Sequence, residues 1–217
     1  MNLQASQAEG QSMDNPLAQK EQRIMNIEKL LADLHLDTNL SSEDIPDLDL
    51  YMDQVIQLFE KKFEATKRTP EEKILTKTMI NNYSKGKLFF PIQNKKYSRQ
   101  HIMLMNLIYE MKTVLSIRDI KHTVTKLNKD ITENAFDLEA LYESYLELAE
   151  ANAAEFQDNS IQLSVQAGGK AEQIDDKHDS YYEKLLLILS FVNMSNYYRR
   201  AAEKMIDQIE EIETKKD

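Results

Sequence analysis

The chain has 217 residues, 41% hydrophobic and 29% charged, with four Gly, four Pro and no Cys. That composition suits one or two soluble, mostly helical domains and excludes disulfide frameworks, thiolate nucleophiles and thiolate-held metal centres. The net charge of −10 is placed unevenly: residues 1–60 hold 3 Lys and Arg against 12 Asp and Glu, residues 61–126 hold 15 against 5, and residues 127–217 hold 9 against 20. A basic block between acidic flanks is the asymmetry of an anion-binding module, although Lys-rich helices that are merely well solvated give the same count. The longest apolar run, residues 185–192 with Ser190 inside it, is shorter than the roughly 20 residues a bilayer-spanning helix needs. Residues 1–10 lack the basic and apolar segments of a secretory signal, so the expected compartment is the cytoplasm.

Residues 1–15, rich in Gln, Ser and Asn, predict a disordered leader. From Pro16 to Leu36 the apolar positions Ile24, Ile27, Leu30, Leu31 and Leu34 recur at helical spacing, with Asn15 before Pro16 as a start signal. With the connection that follows, this makes an N-terminal helix and linker over residues 16–45. Tyr51, Val55, Leu58, Phe59 and Phe63 then line one face of a second helix. Thr69-Pro70-Glu71-Glu72 combines a capping Thr, Pro at the first helical position and Glu three residues past the cap, which predicts a short helix over 71–75. Thr76 caps the next helix, running to Lys85 and closed by Gly86 as the left-handed residue beyond its end.

On the helix over 76–85, Thr78, Asn81, Asn82 and Lys85 share one face, while Met79, Ile80 and Tyr83 take the other. An apolar back with such a front suits major-groove reading: Asn pairs bidentately with adenine, Lys meets guanine and Thr touches a thymine methyl. An ordinary surface helix has the same make-up. Residues 88–97 predict a strand-like stretch in which Gln93-Asn94 turns a small hairpin, bringing Lys95 and Lys96 near a tip suited to phosphate contacts. Ser98 caps a helix over 99–111, and Ser116 with Asp119 opens another reaching about residue 127.

The runs Ile80-Asn81-Asn82-Tyr83-Ser84-Lys85-Gly86-Lys87-Leu88-Phe89-Phe90-Pro91, Lys96-Tyr97-Ser98 and Leu115-Ser116-Ile117-Arg118-Asp119-Ile120-Lys121 resemble the DNA-binding domain of MerR-type regulators. In that family a recognition helix ends in a Tyr-rich run, a Gly-Leu-Leu-Pro-like link leads to a basic wing, and a later Ser-Leu-x-Glu-Ile motif opens a helix. Residues 50–55 and 76–83 are similar to a MerR-like bacterial family, the YkrK type. The resemblance spans about residues 46–127 and implies a mainly α fold: a winged helix-turn-helix with one small β-hairpin, followed by a C-terminal helical bundle or coiled-coil-like region. It implies that helix 76–85, with Thr76, Lys77, Thr78, Asn81, Asn82 and Lys85, reads double-stranded DNA. Lys95 and Lys96 belong to a wing over 92–97, and Tyr83, Tyr97 and Arg99 are backbone-positioning or packing residues at the rim. Asn81 departs from the pattern, standing where the family has a phosphate-binding Arg, and the residues between Phe63 and Pro70 look like an insertion.

The remaining segment, 128–217, reads as a helical dimerisation or effector domain. Thr132 begins a helical pattern with Leu138, Leu141, Tyr145 and Leu148 on one stripe, and Ala167-Gly168-Gly169-Lys170 breaks it as a turn or linker without phosphate-loop spacing. Beyond it Ile188, Phe191, Ser195, Tyr198, Ala202, Met205, Ile209 and Ile212 alternate at intervals of 3 and 4, a stripe that closes a bundle within one chain or joins two chains. Two copies would give two half-sites on DNA. Tyr181, Tyr182, Met194, Tyr197 and Tyr198 line either an effector pocket, for a small molecule or protein, or an aromatic helix core. No two of His35, His101, His122 and His178 have helical metal-ligand spacing, and His178 among Asp175, Asp176 and Asp179 reads as a solvated charge run. No nucleophile elbow, zinc-protease motif or phosphate loop is present. The expectation is a cytoplasmic, dimeric bacterial transcription regulator without catalysis, metal, cofactor or membrane partner. Its rival is a helical adaptor whose basic module and C-terminal heptads bind protein partners.

Overall fold

The computed structural model describes residues 16–174 and 180–214, with side chains over 17–174 and 180–209. The leader expected over 1–15 and the His178 cluster lie outside the described residues. The described chain is mainly helical: α1 (Pro16–Ala32), β1 (Leu50–Tyr51), α2 (Met52–Lys62), α3 (Lys77–Lys85), β2 (Lys96–Tyr97), α4 (Arg99–Lys112), α5 (Ile117–Thr132), α6 (Leu138–Ala171) and α7 (Ser180–Thr214). Single 3-10 turns cover Ser42–Asp44 and Glu64–Thr66. Two compact units divide the described residues, one of residues 37–150 with 196–214 and one of residues 16–36 with 151–174 and 180–195.

In the unit built on Asp37–Glu150, α4 is the central element, with His101 to Asn106 and Ile108 all buried. A helix hidden on nearly every side must find apolar neighbours all round. Val55, Phe59 and Phe63 of the α2 stripe supply part of them, and the rings of Phe59, Phe63 and Tyr109 pack with centroids 5.4 to 6.2 Å apart. The core opens earlier and closes later than 46–127, since Leu40 and Ile45 are buried at one edge and Leu138 and Tyr142 at the other. Tyr142 joins these edges: its hydroxyl donates to the Leu40 carbonyl and accepts from Asn106 Nδ2 at 3.0 Å.

In the first unit several local expectations change. Residues 71–75 form no helix but a turn into extended chain, with Glu72 N donating to Thr69 O at 3.1 Å. Both Ile74 and Leu75 are drawn into the core, and Ile74 N donates to Glu60 Oε1 at 3.0 Å, so tertiary contacts override the local capping signals. The strand expected over 88–97 shrinks to β2, which pairs antiparallel with β1 in the register Leu50↔Tyr97 and Tyr51↔Lys96. Its hairpin partner is reduced to a single bridge between Gln93 and Lys96, because Leu88 and Phe89 leave the sheet direction to enter the core. Thr132 ends α5 instead of opening a helix, and Asp137 starts α6, its Oδ1 accepting from Ala140 N at 3.2 Å.

The second unit combines α1 with residues 151–171 of α6 and 180–195 of α7. Ile27 and Leu31 are the buried part of the α1 stripe, whereas Leu30 and Leu34 are exposed. Ser160, Ser164, Ala167 and Ala171, at intervals of 4, 3 and 4, form a buried small-residue face on α6. The Gly168-Gly169 pair does not break the helix, which runs on to Ala171. A β-carbon at Gly168 would lie 2.2 Å from Arg23 Nε, so the missing side chain makes room for that guanidinium. Arg23 pairs there with Glu172 at 2.7 Å and Glu183 at 3.0 Å. At Gly169 an added β-carbon meets nothing within 4 Å.

Candidate nucleic-acid interface

α3 is placed by its cap, its back and its end. Thr76 adopts extended backbone and its hydroxyl accepts from Met79 N at 3.2 Å. Ile80 and Tyr83 are buried behind the helix with Met79 half-buried, while Thr78, Asn81, Asn82 and Lys85 are all exposed. A nine-residue helix has little stability of its own, so the buried back holds it and leaves the front free of structural duty.

Gly86 does not take the left-handed conformation. It is right-handed at φ −71°, and Lys87 turns left-handed at φ 56°. Leu88 N then donates to Tyr83 O at 3.0 Å, a six-to-one bond that closes the helix. The hairpin tip falls at Asn94-Lys95, both left-handed at φ 51° and 60°, with Lys96 N donating to Gln93 O at 2.9 Å. Positive φ at both central positions is the type I′ pattern, for which Asn-Gly is the favoured pair. A lysine in the left-handed region carries about 1 kcal/mol of backbone strain that glycine does not.

The basic block is partly neutralised by its neighbours. Lys62 pairs with Asp44 at 2.7 Å, Lys67 with Glu60 at 2.6 Å, Lys126 with Asp130, and Lys77 with Asp53 at 2.7 Å, the last pair well exposed and weak in water. Arg99 holds Glu139 at 2.8 Å and donates to the Ile45 carbonyl, so its guanidinium binds the edges of the unit together. Among the described residues Lys85, Lys87 and Lys95 form no ion pair, and Lys96 lies 5.1 Å from the centroid of the exposed Tyr51 ring. Tyr83 and Tyr97 are each only 1% exposed and act as packing residues. Burial pushes the Tyr83 hydroxyl up to about 12.

Several supporting residues lie outside the expected site. Desolvation raises the Glu60 carboxyl, but hydrogen bonds from Lys67 and the Ile74 amide outweigh it and hold the group below the usual carboxylate range. That carboxylate latches the loop leading into α3. Asn128 Nδ2 donates to Leu88 O at 2.9 Å and fixes the link after it. His101 is buried beneath the link: Nδ1 accepts from Ser98 N at 3.2 Å, which leaves Nε2–H to donate to Phe90 O at 3.2 Å. Burial holds its imidazole below the usual histidine range. A His three residues after a Ser cap was a legible signal for this reversed cap; the Glu60 and Asn128 bonds span 14 and 40 residues and leave no local trace.

Of the C-terminal stripe, Ile188, Tyr198 and Met205 are more than half exposed and Ile209 is exposed, whereas Phe191 and Ala202 are half-buried, Phe191 against Phe156 at 5.8 Å. The side chain of Ile212 lies outside the described residues. Leu185, Leu189 and Val192, absent from that stripe, are exposed too. Tyr181, Tyr182, Met194, Tyr197 and Tyr198 are all exposed. In the second unit a groove of about 460 Å³ is lined by Leu163, Gln166, Lys170, Gln173, Leu186 and Ser190 among others. No described helix is long and apolar enough to cross a membrane.

Residues 40–145 match the family model of a domain of unknown function, DUF1836. The match opens at Leu40, where the buried core opens, and closes at Tyr145, which packs on that core. No curated protein and no solved structure matches the chain.

Proposed function

We propose that the module over residues 37–150 binds double-stranded DNA as a transcription regulator of MerR-like winged helix-turn-helix type, α3 entering the major groove and the 92–97 hairpin meeting the backbone. The observation that carries this reading is the exposed polar face of α3, Thr78, Asn81, Asn82 and Lys85, on a helix whose apolar back is buried. Amides read base edges and unpaired lysines meet phosphates. The order of elements from α3 through the hairpin to α4 and α5 also supports it. The 14 residues from Phe63 to Thr76 between α2 and α3 exceed the three or four of a compact helix-turn-helix turn. We place the protein in the cytoplasm as a homodimer without catalytic activity, joined through α7. The exposed aliphatic side of α7 equally supports an adaptor that binds another helical protein.

Selection of duplexes from a random pool by the full chain tests the reading, with Lys95→Glu and Lys96→Glu together as the control. A roughly palindromic motif lost in the control is expected. An unenriched pool, with the oligomer intact, contradicts specific DNA binding and favours the adaptor.

A further inference from the structure

Five described residues other than glycine have a left-handed backbone: His35, Lys87, Asn94, Lys95 and Asn134. No described glycine does. Asn and His enter that region with comparative ease, because a short polar side chain bonds locally to the backbone. Lysine has no such compensation, yet two lysines hold such positions. They are eight residues apart, at the two ends of the link that joins α3 to β2. Both sit where glycine is the default, one beyond a helix end and one at the second central position of a type I′ turn. Both side chains are exposed, and neither forms an ion pair among the described residues. Gly86 stands beside the first, so the backbone had a glycine at hand and the lysine was given the strained place.

We propose that Lys87 is a phosphate-contacting residue, paired with Lys95 across the link, and that both strained positions keep lysine for its charge at the expense of stability. The proposal deepens the DNA-binding reading and rests on it. The strain supplies no binding by itself; its role is to carry each ammonium outward from a turn where a glycine would leave bare backbone. Lys87 is followed directly by the buried Leu88 and Phe89, and Lys95 sits in the turn closed by Lys96 N donating to Gln93 O, so the backbone of each lysine is anchored at its own end of the link. An anchored backbone has less freedom to lose on meeting a phosphate than a mobile one does.

The test uses the full chain with Lys87→Gly, Lys95→Gly, the double variant, and Lys87→Arg with Lys95→Arg as a charge-retaining control. Thermal midpoints without DNA, and affinity for random-sequence duplex DNA over a salt series, are the readouts. Each glycine variant is expected to melt higher by about 1–2 °C, because the relieved strain is partly offset by the freedom glycine adds to the unfolded chain, while binding duplex more weakly and lowering the salt slope by about 1. The arginine control should keep the wild-type midpoint and slope. Glycine variants that melt higher but bind with unchanged affinity and slope overturn the inference and leave the DNA reading standing. A wild-type chain that binds no duplex overturns both, and variants that melt lower show that the lysine side chains serve packing.

Discussion

α3 and α7 differ in what they leave uncovered. The nine residues of α3 hide their apolar side and present amides, a hydroxyl and an unpaired ammonium. Along residues 180–195 of the 35-residue α7, by contrast, Leu185, Ile188, Leu189 and Val192, at i, i+3, i+4 and i+7, remain exposed on one side. A contiguous aliphatic patch without charge suits another apolar surface, and a polar front suits a hydrated polyanion. Charge totals mislead when taken over the whole chain: a net −10 conceals a basic stretch over residues 61–126 and an uncharged seam.

The sharpest way to break this contrast is to charge the seam. Ile188→Glu with Leu189→Glu should convert a dimer to a monomer in sedimentation while leaving the thermal midpoint of the monomer unchanged, since both side chains are already more than half exposed. A wild-type chain that sediments as a monomer would remove the seam from the account. The two adjacent glycines offer a smaller but opposed pair of effects. Gly168→Ala should cost about 1–3 kcal/mol in denaturant unfolding, by pushing Arg23 from Glu172 and Glu183. Gly169→Ala should stabilise by about 0.5–1 kcal/mol, because its β-carbon enters open space in a helix. Equal effects at the two sites would contradict the close approach of Arg23.

The smallest expected effect is the pH dependence at His101. Burial holds the folded imidazole below its usual range, so the unfolded chain takes up the proton first as pH falls. The stabilising contribution is complete above about pH 6.5 and is lost as pH falls through the lower folded value, by at most about 1.4 kcal/mol per pH unit. His101→Gln keeps a cap-capable side chain at the third helical position and should flatten this part of the curve between pH 7.5 and 5.5. An unchanged slope would place the imidazole in solvent.

Much of the site was legible because its signals are local. Thr76 and Ser116 cap as their spacing implied, and the polar face of α3 follows from helical period alone. The misread places share a different cause. The Thr69-Pro70 start signal is sound by itself and is overruled by Ile74, Leu75 and the Glu60 carboxylate. Gly168 reads as a breaker until Arg23, 145 residues away, is seen filling its missing side chain. Gly86 was the expected left-handed residue, and Lys87 holds that conformation instead. Long-range packing and a choice between neighbouring residues leave no mark in periodicity.

The central claim is that the exposed face of the 37–150 module meets DNA, and its most direct test is duplex affinity measured from about 50 to 200 mM salt for the full chain and for Lys95→Glu with Lys96→Glu. The account predicts a log–log decline whose slope the double reversal reduces by about 2. An affinity that is independent of salt, or a slope the reversal leaves unchanged, would contradict it.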